Sequence, residues 1–296
     1  MALIQLLSLL PLGAMLGLGL AFQTPDGGQG VPLDRISAQV PTHKPVRFVA
    51  FGDFGTGAGM QYKVSKAIEK KCAAAGCDFA LTLGDNIYND GVHSVRDPQF
   101  LEKFEKPYAN LPFRFYMVLG NHDYRGNVQA EVDYTRMSKK WTLPARYYVF
   151  DEGPVTFFAL DTNDTNTKQI DFMQQHLKSA KTPWKIPFGH HPRTTNSWYK
   201  NTQTPGQKQL IDLFCGQAQI YLSGHEHDKQ HLKPVCGTEY LIVGTAAGNR
   251  PFGKGPDTLF AGNSYGFAWF EATEKTLRFE LLDVDGKVEY KHSLSK

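Results

Sequence analysis

Strong charge of either sign is missing from this chain of 296 residues, in which 32 Lys and Arg stand against 29 Asp and Glu for a formal net charge of +3. So small an imbalance supports neither a nucleic-acid-binding stripe nor a polybasic membrane patch. No internal repeat appears at any period. Cysteine is scarce: Cys72, Cys77, Cys215 and Cys236 are the only four. Their spacings match no zinc motif, although a site using all four thiolates is the rival to disulfides. An even count suggests disulfides with three possible pairings, of which Cys72–Cys77 and Cys215–Cys236 join neighbouring segments and are the expected ones. Charged side chains are absent from residues 1–21, an apolar stretch that ends in Gly19-Leu20-Ala21, with small residues at both cleavage positions. It reads as a signal peptide for secretion, periplasmic or other export. Its lack of Lys or Arg leaves a retained membrane anchor as the alternative. With no Cys at its end, a lipoprotein anchor is not expected. If the segment is cleaved, no stable membrane insertion is expected.

What is present is a body able to bury one large core, with 41% hydrophobic residues and nothing that demands a second domain. Residues 22–45 form a Gly- and Pro-containing spacer without periodicity, and 46–296 the expected catalytic domain. Strands are expected at Val46 to Phe51, Phe79 to Leu83 and Phe113 to Leu119, with helical spacing over Gln61 to Ala75 and Gln99 to Ala109. Tyr147 to Phe150 and Val155 to Leu160 read as a hairpin, and Lys168 to Ser179 as a helix. Further strands are expected at Ile186 to Phe188, Ile220 to Leu222, Tyr240 to Val243, Tyr265 to Glu271, Thr276 to Val284 and Val288 to Tyr290. Periodicity alone gives the class α/β.

Five of these strands run into a glycine followed by metal-ligand residue types. The segments are Gly52-Asp53, Gly84-Asp85-Asn86-Ile87-Tyr88, Gly120-Asn121-His122-Asp123, Gly189-His190-His191-Pro192 and Gly224-His225-Glu226-His227-Asp228. Alone, Gly-Asp-Asn is a turn; five such strand ends in one chain exceed coincidence. A lone sequon, Asn163-Asp164-Thr165, carries little weight.

The order of these segments resembles the calcineurin-like metallophosphoesterases, and within them the small purple acid phosphatases of the tartrate-resistant type. The superfamily's first motif is D-x-H, whereas this chain reads Asp53-Phe54-Gly55. Tyr88, three residues after Asp85, fills the vacancy, and that exchange marks the purple acid phosphatases. The resemblance runs from about Val46 to the C-terminus and takes in Gly126-Asn127-Val128, Ser138-Lys139-Lys140-Trp141 and Gly266-Phe267-Ala268-Trp269-Phe270. It implies a four-layer αββα sandwich of two mixed β-sheets flanked by helices. It also implies an acid phosphatase that hydrolyses phosphomonoesters with a metal-bridging or metal-bound hydroxide at a dinuclear Fe(III)–M(II) centre. The first metal would take Asp53, Tyr88, His227 and a bridging Asp85; the second would take Asp85, Asn121, His190 and His225. His122 would bind phosphate and protonate the leaving alkoxide, with Asp123 orienting its ring.

Ligand chemistry narrows the metals. A free phenol has a pKa of about 10, so only a strong Lewis acid such as Fe(III) keeps Tyr88 ionised in acid. Imidazoles, an amide and a shared carboxylate suit Fe(II), Zn(II) or Mn(II) at the second position. Three anionic ligands and a hydroxide then leave roughly one net positive charge to attract a phosphate ester, on a small molecule or a protein. A phosphodiesterase or nucleotidase on the same core is the alternative. A non-catalytic metal- or phosphate-binding protein would show lost ligands, and none of the seven is lost.

Other residues stand further from the motifs. His191 occupies a variable position and is as readily exposed surface as functional. His43, His93, His176, His231 and His292 have no motif context and read as surface or structural. Arg125 and Arg193 each follow a motif and could meet a phosphate or simply be solvated. Two departures from the mammalian members stand out: Tyr199 takes the place of a further His, and only Asn163 to Thr167 remain of a long regulatory loop.

Overall fold

The computed structural model describes residues 44–296; the expected signal segment and nearly all of the spacer lie outside them. In chain order the first elements are β1 (Val46–Phe51), α1 (Gly59–Ala75), β2 (Phe79–Thr82), β3 (Arg114–Tyr116), α2 (Val128–Tyr134) and β4 (Trp141–Thr142). Next come β5 (Tyr148–Glu152), β6 (Val155–Ala159), α3 (Thr167–Ser179), β7 (Trp184–Phe188), α4 (Pro205–Asp212) and β8 (Ile220–Ser223). The last are β9 (Lys229–Val235), β10 (Thr238–Val243), β11 (Thr258–Gly262), β12 (Gly266–Ala272), β13 (Thr276–Asp283) and β14 (Val288–Ser295). They form two seven-stranded sheets, in the orders β14-β13-β12-β1-β2-β3-β4 and β11-β9-β10-β8-β7-β6-β5. Both are mixed: β1, β2, β3 and β4 run parallel while β12 to β14 are antiparallel. The αββα expectation holds.

Aromatic residues cement the two sheets. Phe48 on β1 stacks on Phe79 and Phe270 at 5.3 and 4.6 Å and meets the edge of Phe157 from the second sheet at 5.3 Å. Burial of each such ring contributes about 1.5–3 kcal/mol. On the outer face of the second sheet, Met173, Leu177, Leu210 and Ile211 of α3 and α4 cover Phe158, Leu160, Tyr221 and Leu232. Asn166 caps α3, and Thr204 with Gln207 forms a capping box on α4. The two expected disulfides are present, Cys72–Cys77 and Cys215–Cys236. Among the described residues no helix is long and apolar enough to cross a membrane.

Two elements are shorter than the sequence suggests. Over Gln99 to Ala109 the helical stretch stops at Glu105, and Leu101–Glu105 is of π type, with Lys106 N donating to Leu101 O at 2.9 Å. Pro107 has no N–H to continue the ladder. The strand expected over Phe113 to Leu119 ends at Tyr116. Beyond it the Asn86 and Asn163 side-chain amides donate to Val118 O and Leu119 O, replacing strand partners.

At the tip of the β5–β6 hairpin, burial pushes the Glu152 carboxyl up to about 7, against the lowering effect of the Tyr116 hydroxyl 3.1 Å away. The folded state therefore binds the proton more tightly than the unfolded chain does. Its contribution is complete below about pH 4.5 and is lost as pH rises through about 7. Glu152→Gln should raise stability by about 1–2 kcal/mol at pH 8 and leave it nearly unchanged at pH 4.5. Melting temperatures at the two pH values check this; a gain of equal size at both would refute it.

Candidate metal centre

The carboxyl ends of β1, β2 and β3 in one sheet and of β7 and β8 in the other meet at one edge of the sandwich, and each delivers one of the five glycine-led loops. Strand C-termini are where α/β sheets collect ligands. Asp53, Asp85 and His225 adopt φ of 59°, 53° and 68°, left-handed values that cost a non-glycine residue roughly 1–2 kcal/mol each. Surrounding bonds hold them there: Asp53 N donates to Gly84 O at 3.0 Å, His225 N to Asp53 Oδ2 at 2.9 Å, and His122 N to Asp85 Oδ1 at 2.9 Å. Gly84 has φ 82°, and a Cβ there would stand 2.7 Å from His190 Nδ1. Only glycine lets the two loops approach this closely.

The side chains gather in two clusters. In the first, the Tyr88 hydroxyl lies 3.1 Å from Asp53 Oδ1, 3.0 Å from Asp85 Oδ2 and 3.2 Å from His227 Nε2. In the second, His190 Nε2 lies 3.0 Å from Asn121 Oδ1, 3.1 Å from His225 Nδ1 and 3.5 Å from Asp85 Oδ1. Asp85 thus faces both clusters, one oxygen to each. The seven residues named from the motifs are all brought together here.

The electrostatics suit cations. No Lys or Arg pairs with Asp53 or Asp85 among the described residues, though both are buried. One phenolic hydrogen serves two carboxylates. His190 Nδ1 faces Leu83 O at 2.8 Å; a carbonyl can only accept, so Nδ1 carries the proton and the Nε2 lone pair looks at amide and carboxylate oxygens. Burial opposes charge on His190, but the Asp85 and Asp53 carboxylates outweigh it and raise its pKa. His225 moves the other way, driven far down by burial and by the neighbouring histidines, and is a neutral donor. Burial, then Asp53 and Asp85, push the Tyr88 phenol well up, so its ionisation requires positive charge in the cluster. A set of oxygen and imidazole donors with too few hydrogens is what a pair of metal ions would satisfy, and the residues fit one.

His122 borders the first cluster. Its Nδ1 donates to Asn89 O at 2.5 Å and its Nε2 stands 3.9 Å from Asp85 Oδ2. The expectation that Asp123 orients this ring is corrected. Asp123 is fully buried and accepts from Gly120 N, Asn86 N and Ile87 N at 2.7–3.0 Å, bracing the loops behind Asp85. Its carboxylate is consumed by backbone donors, and Asn89 takes the orienting role. Arg125 and Arg193 each have an acidic partner: Arg125 pairs with Asp90 at 3.5 Å on the surface, and Arg193 with Asp212 at 2.5 Å.

Residues beyond the motifs complete the rim. His191 is not open surface: it bonds Thr162 Oγ1 at 2.8 Å and lies with His190 and His225. Tyr199 stacks on His225 at 4.1 Å. Arg250 was not singled out from sequence. Its guanidinium sits 5.3 Å from the Tyr199 ring and 5.9 Å from Trp198, and its buried Nη1 has no hydrogen-bond partner. The available signal was topological, since β10 runs parallel to β8 and must end at the same edge. A cavity of about 380 Å³ opens beside the second cluster, lined by His191, Pro192, Tyr199, Thr204 and His225. A larger cleft, about 750 Å³, lies elsewhere near Arg136, Arg146 and Phe172 and holds none of these donors.

Comparison with known proteins agrees with this geometry. The family described as Calcineurin-like phosphoesterase matches residues 46–229. Purple acid phosphatase 7 of Arabidopsis thaliana is 30% identical, over 84% of this chain and 86% of its own. Tartrate-resistant acid phosphatase type 5 of Sus scrofa is 29% identical, over 85% and 87%. A solved structure described as GAP50, the anchor in the inner membrane complex of Plasmodium, shares the fold with TM-score 0.75 and 20% identity, over 85% of this chain and 89% of that one.

Proposed function

The chain belongs to the calcineurin-like phosphoesterase family and is a hydrolase acting on phosphate esters, and from that membership we propose an acid phosphatase that cleaves phosphomonoesters at a dinuclear Fe(III)–M(II) centre. The observation that carries this reading is Asp85, placed between two buried donor clusters. Asp53, Tyr88, His227 and Asp85 would hold one ion, and Asp85, Asn121, His190 and His225 the other. When bound, the ions would supply Lewis acidity toward the phosphoryl oxygens and acidify the attacking water.

The remaining work falls to the chain itself. His122, fixed through Nδ1 by Asn89 O, presents Nε2 where a leaving oxygen can receive its proton. Arg250, with an unpartnered buried nitrogen beside His225, offers a charged donor to the ester's free oxygens. Tyr199 stacks on His225, fixing the imidazole plane. The disulfides fit an oxidising compartment, which supports export.

The test is metal analysis with paired substrates. Iron and one divalent ion per chain, a visible charge-transfer band, and higher kcat/KM on monoesters than on diesters at acidic pH are expected. Tyr88→Phe should lose the band. A colourless, fully active enzyme holding only zinc or magnesium would remove iron from the proposal, and a preference for diesters would move it to the phosphodiesterases. Arg250→Ala should raise the inhibition constant of inorganic phosphate about 10- to 100-fold, the scale of one hydrogen bond to a charged group. An unchanged constant would take Arg250 out of the substrate contacts.

A further inference from the structure

Away from that centre, a second set of ligand types lies between the two sheets. His231 on β9 and Glu239 on β10 come from one sheet, and His292 on β14 from the other. His231 and Glu239 are buried, while the His292 side chain is 27% exposed. Glu239 Oε2 is 2.9 Å from His231 Nε2 and 3.1 Å from His292 Nε2, and Oε1 is 3.2 Å from His292 Nε2. All three ligand atoms lie within 4.8 Å of one another. Nothing in the sequence around His231 or His292 marks either as a ligand; the sandwich alone brings them together.

Local backbone irregularities serve this convergence. The β10–β9 register shifts between Thr238 and Tyr240, at Glu239, and the β13–β14 register shifts where Val288 and Tyr290 pair. Such bulges re-aim side chains. Here they coincide with a carboxylate turned between the two sheets, near the Phe279 ring 5.2 Å from His231. Among the described residues no Lys or Arg pairs with Glu239, whose carboxylate bonds the two imidazoles. Burial alone would raise the Glu239 carboxyl, but the hydrogen bond from His231 and the His231 and His292 charges outweigh it and hold it below the ordinary range.

We propose that His231, Glu239 and His292 form a structural binding site for a divalent transition-metal ion of the zinc type, which staples the two sheets together independently of the catalytic centre. Two imidazoles and a carboxylate are a zinc-competent set, and neighbouring donors on a tetrahedral zinc stand roughly 3.3 Å apart. The nitrogen–oxygen separations of 2.9–3.2 Å need only slight expansion. Tyr290 supplies the supporting contact: its hydroxyl is 3.0 Å from His231 Nδ1. Accepting from Nδ1–H, it leaves the Nε2 lone pair directed at the ion. The exposed side of His292 admits the water that completes the coordination.

The same contacts would also satisfy a metal-free triad in which both imidazoles donate protons to Glu239, and the experiment separates the two. Purified holoenzyme is brought to equilibrium by dialysis against Zn(II) alone, and bound zinc is counted per chain. Wild type should carry one zinc more than His292→Ala. His292→Cys, which offers a thiolate, should keep that zinc. Phosphatase activity should be unchanged in all three, and added zinc should raise the melting temperature of wild type but not of His292→Ala. Equal zinc counts in wild type and His292→Ala overturn the proposal and leave a hydrogen-bonded clamp. Where His292→Ala does not fold, Glu239→Gln, an isostere that keeps the packing, decides by the same count.

Discussion

Asp85→Asn is expected to lower kcat/KM on the order of 10³-fold or more, since loss of a shared metal ligand removes several kcal/mol of transition-state stabilisation. Asp85 Oδ2 stands 3.0 Å from the Tyr88 hydroxyl while Oδ1 stands 3.5 Å from His190 Nε2. Asparagine fills the same volume but removes the charge that both clusters share, so the folded state should survive while metal content falls. Metal analysis beside steady-state kinetics checks both halves. A variant that retains both ions and keeps activity within tenfold of wild type would show that the clusters do not depend on a common ligand.

His122→Ala should divide substrates by leaving group. An alkyl phosphate needs a proton on its departing oxygen, and a positioned acid contributes about 10²–10⁴-fold. A nitrophenyl phosphate departs unaided and should lose much less. The ring is suited to the task because the Asn89 carbonyl engages Nδ1 and leaves Nε2 toward Asp85. Equal losses on both substrates, with metal content intact, would reduce His122 to a phosphate-positioning residue.

The parts of the centre that were legible in the sequence are those whose chemistry is local. A strand, a glycine and a ligand type within a few residues signal themselves, and the Tyr88 exchange is visible because it sits three residues from Asp85. What stayed hidden depends on contacts across the fold. Asp123 reads as a partner of its neighbour His122, yet its carboxylate is taken by Gly120, Asn86 and Ile87 amides. Arg250 reaches the rim only because β10 ends beside β8. Strand β9 was not expected, since Lys229, Gln230, His231 and Pro234 give it a polar, proline-bearing sequence. Its polar side chains are buried all the same, Lys229 against Glu289 and Ser264, and His231 against Glu239. Helix α4 carried a readable start in Pro205 and the Thr204–Gln207 box, but eight residues give too short a periodic pattern to be distinctive.

Strand β1, which delivers Asp53, is hydrogen-bonded on one side to β2 and on the other to β12, where Val46 faces Ala272 and Ala50 faces Ala268. Its second neighbour is therefore made more than two hundred residues later. During synthesis every residue of the catalytic rim, Arg250 included, emerges before the strand that completes the sheet under Asp53. Pairing over so long a separation is slow, and until it forms β1 keeps an open edge. A chain cut after Asn263 would retain all seven candidate ligands and still lack β12, β13 and β14. A chain ended there would hold every candidate ligand beside a β1 edge with no partner, since β12 is what pairs with it.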